Sequence, residues 1–332
     1  MSDDLISVII PTFNRADLLP RAIRSALAQH GVRTQIIVVD DGSTDTTRQT
    51  VATFPSVHYY YQPNGGQAAA RNLGLRYATG SFVASLDSDD YWVPSFLHSS
   101  LACLNRHSLD FVFLNWANAN GKPNYFGRVM EQFRAERYQS QREGLWCLLE
   151  AAQVRRLFLE LCPAPSSSLV VRRSSLVGQW NEAMLIADDW CLVLDMVLSR
   201  PMRAAFTLVP HWTKYVQQDN VYDGRTQLEI IERLGFHDEN LLAQRFAGQL
   251  LPNEKSLLRR RMARYHFDYG YRQWKMRGGR ATVVQALARA LALAPLHTGK
   301  HVLSSVARFL WLRFPPRMAR ATRKMAAVFR AA

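Results

Sequence analysis

Four short apolar runs, each ending in a polar cluster and each followed by a segment of helical period, constrain this chain more than any other feature. Residues 5–10 are apolar apart from Ser7, and residues 35–39 (Gln-Ile-Ile-Val-Val) repeat the pattern. Runs without polar alternation are typical of strands covered on both faces, as in a parallel sheet between helices. After the first run, Leu18/Leu19, Ala22/Ile23 and Ala26/Leu27 recur at helical spacing, and Asn14 is the expected N-cap. A helix to about residue 54 follows the second run. Residues 57–61 read as a third strand, and Asn64-Gly65-Gly66 turns the chain into a helix over 67–78. Residues 82–86 form the fourth run, followed by a helix over 94–106, and 110–115 read as a fifth strand. This alternation predicts an α/β fold with an open, doubly wound, mostly parallel sheet. Such sheets bind ligands at the carboxyl ends of their strands, where residues 11–14, 40–44 and 87–90 fall.

The fourth run ends most abruptly. Asp87, Asp89 and Asp90 crowd into four positions directly after it, followed by Tyr91-Trp92. Carboxylates this close repel one another unless a cation sits between them, which makes a divalent metal carrying a phosphate a natural partner. A strand-to-helix turn in which Ser88 or Asp90 caps a helix opened by Pro94 accounts for the same residues without a ligand.

Charge divides the chain. The net charge is +14, yet residues 253–332 hold 18 Lys and Arg against 2 acidic residues. The remaining residues are slightly acidic, so the basic character belongs to the last quarter. Hydrophobic content of 48% with 20% charged residues excludes a disordered chain. Cys103, Cys147, Cys162 and Cys191 lack CxxC spacing and sit among apolar neighbours, which argues for buried free thiols rather than zinc or a disulfide framework. The absence of a basic and apolar leader, and of any uncharged apolar stretch of about 18 residues, leads to the expectation of a cytoplasmic protein.

Four blocks, in this order and spacing, closely resemble the inverting glycosyltransferases of family 2, which have the GT-A fold. They are Ser-Val-Ile-Ile-Pro-Thr-Phe-Asn (7–14), Ile-Val-Val-Asp-Asp-Gly-Ser-Thr-Asp (37–45), Asn-Gly-Gly-Gln-Ala-Ala-Ala-Arg-Asn-Leu-Gly (64–74) and Leu-Asp-Ser-Asp-Asp (86–90). The likeness extends over residues 5 to about 220. It implies that Pro11, Thr12 and Phe13 contact the base of a nucleotide, that Asp40 bonds base or ribose while Asp41 supports the turn, and that Asn64 and Arg71 face the nucleotide. It makes residues 87–89 a DxD motif, with Asp87, Ser88 and Asp89 addressing ribose and a Mg²⁺ or Mn²⁺ ion. Asp87 and Asp89 are then the metal carboxylates. The physical logic is that a nucleoside diphosphate leaves readily only when its developing charge is neutralised.

A base is also needed to deprotonate an acceptor hydroxyl. Residues 185–196 (Leu-Ile-Ala-Asp-Asp-Trp-Cys-Leu-Val-Leu-Asp-Met) resemble the family's Glu-Asp segment at a helix start, which makes Asp189 the candidate base and puts Asp188 in place of the glutamate. Helix N-terminal acids held by the dipole would look the same. The chain departs from the family pattern at Asp188 and at residues 214–218, where the usual Tyr-Arg-x-His is missing. His211 beside Trp212 reads as structural. No Gln-x-x-Arg-Trp follows Asp189, which favours single additions over polymer synthesis.

The expected organisation is a catalytic domain over 1–220, with its acceptor side at about 116–220, and a basic helical region over 221–332. Residues 309–314 join aromatics to Arg317, Arg320, Arg323 and Lys324, a composition suited to an anionic membrane surface, and this implies a glycan or lipid-linked acceptor. A helical subdomain with a solvated basic face is the other reading. No nucleic-acid motif accompanies the charge. Two further classes share these features: a nucleotidyltransferase, which should carry a Gly-rich loop after the first strand, and an inactive sugar-nucleotide or membrane-binding module.

Overall fold

The computed structural model describes residues 4–122, 126, 142–215 and 225–303. Residues 216–218 and the 309–324 stretch singled out above lie outside them. The chain divides into two compact units, Met1–Leu251 and Pro252–Ala332. The first unit runs past position 220 to include the short helices up to Arg245.

The first unit is built on one mixed sheet. Its strands are β1 (Leu5–Thr12), β2 (Arg33–Asp40), β3 (His58–Tyr61), β4 (Phe82–Ser85), β5 (Tyr91–Trp92), β6 (Phe111–Asn118), β7 (Arg142–Glu143), β8 (Trp146–Leu149), β9 (Leu169–Arg172) and β10 (Ala204–Lys214). Among the described residues the order is β3-β2-β1-β4-β9-β6-β10-β8-β7, with β5 paired to β10. The parallel pairs β1–β2, β1–β4, β2–β3 and β6–β10 form the framework, so the mostly parallel α/β sheet is as expected. β9 slots in antiparallel between β4 and β6.

Strands β1, β2 and β4 are buried almost throughout because they are sandwiched between helices: Ile9, Ile37 and Val39 pack with Ala68 and Ala70. Those alanines lie on α3 (Gln67–Tyr77). A Cβ on Gly74 would come within 2.5 Å of Ile9 Cγ2, so glycine is what lets α3 approach β1 so closely. The second core half is aromatic. Phe111, Phe113, Phe158 and Phe206 interlock at centroid separations of 5.4–6.3 Å, and fully buried Phe126 joins them. Phe126 therefore belongs to the core. All four cysteines are free. No described helix is long and apolar enough to cross a membrane.

Asn14 does not cap the first helix. Helix α1 (Leu19–Leu27) begins five residues later, and Asn14 adopts φ 50°. Its Oδ1 accepts from Thr44 N–H at 2.8 Å while its own N–H donates to Ser43 Oγ at 2.8 Å, so it ties the end of β1 to the end of β2. Asparagine tolerates this left-handed conformation better than most residues.

Candidate active site

The carboxyl ends of β1, β2 and β4 lie side by side, since Thr12 pairs in register with Asp40, and Leu86 N–H donates to Ile9 O. Pro11 and Thr12 are buried there, and Phe13 is 45% exposed. Thr12 Oγ1 is buried with no hydrogen-bond partner in the described structure.

Asp40 and Asp41 both turn inward. Asp40 accepts from the Tyr59 hydroxyl at 2.7 Å and from Ser43 N–H at 2.8 Å. Asp41 gathers Gly65 N–H, Gly66 N–H and the Gln62 amide at 2.7–2.8 Å, and Asn64 Nδ2 donates to its carbonyl. One carboxylate thus organises the whole 64–66 turn. Gly42 makes room for it: at φ 86°, a Cβ there would sit 2.7 Å from Asn64 N. Asn64 itself remains exposed.

Arg71 is the centre of the site. It is 2% exposed, and its guanidinium reaches Asp188 Oδ2 at 2.5 Å and Asp87 Oδ1 at 2.7 Å, while Nε donates to Ser85 Oγ at 3.2 Å. Gln67, one helical turn earlier on α3, donates to Asp188 Oδ1 at 2.8 Å. Burial alone would lower the proton affinity of Arg71; Asp188 and Asp87 overturn that and hold it above its ordinary value. The cation at 71 is therefore consumed by two carboxylates from different parts of the chain. It joins the 87–90 turn to the start of α6 (Asp188–Ser199).

Within the acidic turn the carboxylates differ. Asp87 is partly exposed beside Arg71, and its N–H donates to Ser167 Oγ at 3.0 Å. Ser88 is 8% exposed. Asp89 is half-buried; loss of hydration, then the charge of Asp87, push its carboxyl up to about 6. Asp90 faces the interior, where it accepts from Ser167 Oγ at 2.7 Å and from Tyr215 N–H at 3.0 Å. Burial and the charges of Asp89 and Asp87 lift its pKa well above the carboxylate range. Arg21 braces the turn from outside: Nη2 donates to Asp89 O at 2.7 Å, with the guanidinium over the rings of Tyr91 and Tyr215 at 4.7 and 4.4 Å.

Asp189 sits one residue beyond the Arg71 network. It accepts from Ser166 N–H at 3.1 Å and from Trp190 N–H at 2.7 Å. Its carboxyl is pushed up to about 7, first by burial and then by the neighbouring charge of Asp188, against the pull of Arg71. A carboxylate of that affinity takes up a proton near neutral pH, as a general base must.

Three positioning groups escape the sequence reading. Ser166 and Ser167, in the turn Ser166–Ser168 before β9, tie Asp189 to one side and Asp87 and Asp90 to the other. Asp238, fully buried, accepts from the N–H groups of Leu185, Ile186 and Ala187 at 2.8–2.9 Å and so fixes the approach to α6. It ends a π-helical segment, Ile231–Asp238. His211, by contrast, is 8% exposed with Nδ1 against Val209 O at 2.8 Å, a structural setting.

Comparison with known proteins places this geometry. The chain is 34% identical over 123 residues to UDP-Glc:alpha-D-GlcNAc-diphosphoundecaprenol beta-1,3-glucosyltransferase WfgD of Escherichia coli, covering 36% of this chain and 49% of the relative. An uncharacterized glycosyltransferase of Rickettsia conorii, RC0461, is 35% identical over 132 residues, covering 39% of this chain and 22% of the relative. The matches thus span half or less of these relatives' own lengths. Among solved structures, S. aureus TarS 1-349 in complex with UDP-GlcNAc superposes with a TM-score of 0.63 at 19% identity, over 88% of this chain and 82% of TarS. Mannosyltransferase PcManGT from Pyrobaculum calidifontis, in complex with GDP-Man and Mn2+, gives 0.55 at 20% identity, over 96% and 83%. These likenesses establish the GT-A fold. The model of glycosyl transferase family 2 matches residues 7–159, which hold the loops after β1, β2 and β4 but not the Ser166 turn, the Asp188–Asp189 helix start or Asp238. Over these residues the chain matches glycosyl transferase family 2.

Proposed function

We propose that this protein transfers a single sugar from a nucleoside diphosphate donor, a UDP-sugar, to an acceptor hydroxyl with inversion, in the synthesis of a polysaccharide or glycolipid. The observation that carries this reading is the Asp87–Arg71–Asp188 chain, which joins the DxD turn to the helix start that bears Asp189. Donor chemistry and proton removal thereby share one frame. Asp189, with its proton affinity near 7, takes the acceptor proton as the hydroxyl attacks the anomeric carbon. Pro11, Thr12 and Phe13 receive the base, and the orphan Thr12 hydroxyl offers an unused donor or acceptor there. Asn64 and Ser88 line the nucleotide side. Asp40, Asp41 and Arg71 support this reading as the framework that holds those loops.

The residues fit a divalent metal. Asp87 and Asp89 share one turn, where burial, then the charge of Asp87, raises the Asp89 carboxyl; a divalent cation between them would offset that repulsion. Asp87 and Asp89 would offer one or two carboxylates, the protein share of a Mg²⁺ or Mn²⁺ site that substrate phosphates complete. When bound, the ion would supply charge neutralisation for the departing diphosphate. The UDP-sugar and the Mn2+ named for the structural neighbours, and the diphosphoundecaprenol acceptor in the name of WfgD, support a UDP donor, a metal and a lipid-linked glycan acceptor. The basic second unit suits work at the inner face of a membrane.

Calorimetric titration of UDP with and without Mn²⁺ tests the reading. Metal-dependent binding that Asp89→Asn weakens by about tenfold or more supports it. No binding of UDP or GDP under either condition would sink it.

A further inference from the structure

The described part of the second unit opens with a helical hairpin, α9 (Pro252–Lys275) and α10 (Arg280–Leu293). The helices meet closely at Gly270, where a Cβ would lie 3.2 Å from the Ala286 methyl. Three aromatic rings climb α9 towards the turn. Phe267 is 7% exposed, Tyr271 40% and Trp274 54%, with centroids 6.5 and 6.0 Å apart. At the turn itself Met276 is 68% exposed. The turn is a closed structure, with Gly278 N–H donating to Gln273 O at 2.8 Å and Arg277 N–H to Trp274 O at 3.1 Å.

Arg272, Lys275, Arg277 and Arg280 fall within this stretch of sequence, with Asp268 beside Arg264 and Arg272 before it and no Asp or Glu over residues 269–303. The chain therefore presents an indole, a phenol and a thioether in a stretch with four cations, and Asp268 lies one helical turn before Arg272, away from the hairpin turn. Solvation favours that combination in one environment above others: the headgroup layer of an anionic bilayer, where Trp and Tyr rings settle and basic side chains meet lipid phosphates. A polynucleotide would satisfy the cations but give no apolar phase for Met276.

We propose that the turn of this hairpin, residues 271–280, docks on an anionic lipid bilayer and inserts Trp274 and Met276 at the headgroup level. The inference deepens the reading of a lipid-linked acceptor, yet its test involves no turnover. The full-length protein is sedimented with phosphatidylcholine vesicles, with and without phosphatidylglycerol. Binding is expected only to the anionic vesicles and is expected to fall with salt. Lys275→Glu/Arg277→Glu should lower the partition coefficient by roughly 30-fold or more, since each basic residue near the surface is worth about fivefold. Trp274→Ser/Met276→Ser should lower it several-fold. Lipids brominated along the acyl chain should quench part of the tryptophan emission, and Trp274→Phe should abolish that part. Equal binding to neutral vesicles, or unchanged binding of both double variants, would overturn the proposal; the second result would assign docking to other basic segments. Tighter capture of an oligonucleotide, lost in the same variants, would overturn it in favour of nucleic acid. UDP titration of the same variants separates the two readings: loss of docking with UDP affinity retained leaves the transferase reading intact, and the converse leaves docking intact.

Discussion

Asp188 and Arg71 meet in the interior with 2.5 Å between carboxylate oxygen and guanidinium nitrogen, both side chains 2% exposed. The same guanidinium holds Asp87, so a residue that the family likeness assigns to the nucleotide also joins two acidic segments. Its removal strands two carboxylates, one of them fully buried. Arg71→Met is expected to cost about 3–5 kcal/mol of unfolding free energy, measured by urea titration. Arg71→Lys keeps the charge but loses the fork that spans both partners, so it should recover only part of that stability and little activity.

The pH dependence of transfer follows from Asp189. Its carboxyl is pushed up to about 7 by burial and by Asp188, and it acts as a base only when ionised. The acid limb of kcat/KM should therefore rise with pH through about 7. Asp188→Asn removes the second cause of the elevation while leaving Arg71 paired to Asp87, so the limb should move to lower pH. Asp189→Asn should lower kcat by about 10²–10⁴-fold with UDP affinity retained. A profile unchanged in Asp188→Asn would show that the limb belongs to another group.

The strand–helix alternation and the position of each polar loop were legible because strands covered on both faces must be apolar along their whole length. The antiparallel β9 was not legible, since its four residues Leu169–Arg172 carry no signal of the direction in which they enter the sheet. Nor was the inward course of Arg71. Ala70, Arg71, Asn72 and Gly74 are all buried, because α3 is covered on more than one side, and a single amphipathic period cannot report that. Asn14 failed as a cap because its side chain found partners across the sheet end at Thr44 rather than in its own helix. The pairing of Asp87 with Asp188 spans a hundred positions and depends on a third residue, so local spacing carries no trace of it.

Asp238 illustrates the same limit and yields a further expectation. Three backbone N–H groups leading into α6 converge on its carboxylate, and π-helical geometry, which recurs at functional sites, delivers it there. Asp238→Ala leaves those donors buried without an acceptor and should cost about 2–4 kcal/mol. Asp238→Asn retains one acceptor oxygen and should be milder. If the loop positions Asp189, both variants should lower kcat more than they weaken UDP binding. Equal losses in both quantities would mean that Asp238 only supports the fold.

Asp89 offers a test that needs neither substrate nor metal. Its pKa is raised to about 6 in the folded protein, by burial and by the Asp87 charge, against about 3.8 for an unperturbed aspartate. A carboxyl with a raised folded pKa favours folding while protonated, and that advantage fades as pH climbs through the folded pKa. Ionised Asp89 therefore strains the unliganded protein above pH 6 but not near pH 4. Asp89→Asn removes the strain, and after allowance for partial solvent screening it should stabilise the protein by about 1–2 kcal/mol at pH 8, with little change near pH 4. Thermal unfolding at the two pH values reads this directly. A variant less stable than wild type at pH 8 would mean that the Asp89 carboxylate is already satisfied by Arg15 and Lys214, the cations nearest to it in charge. A mutation that stabilises the empty protein while weakening metal-dependent UDP binding would mark Asp89 as a carboxylate kept for its ligand at the expense of the fold.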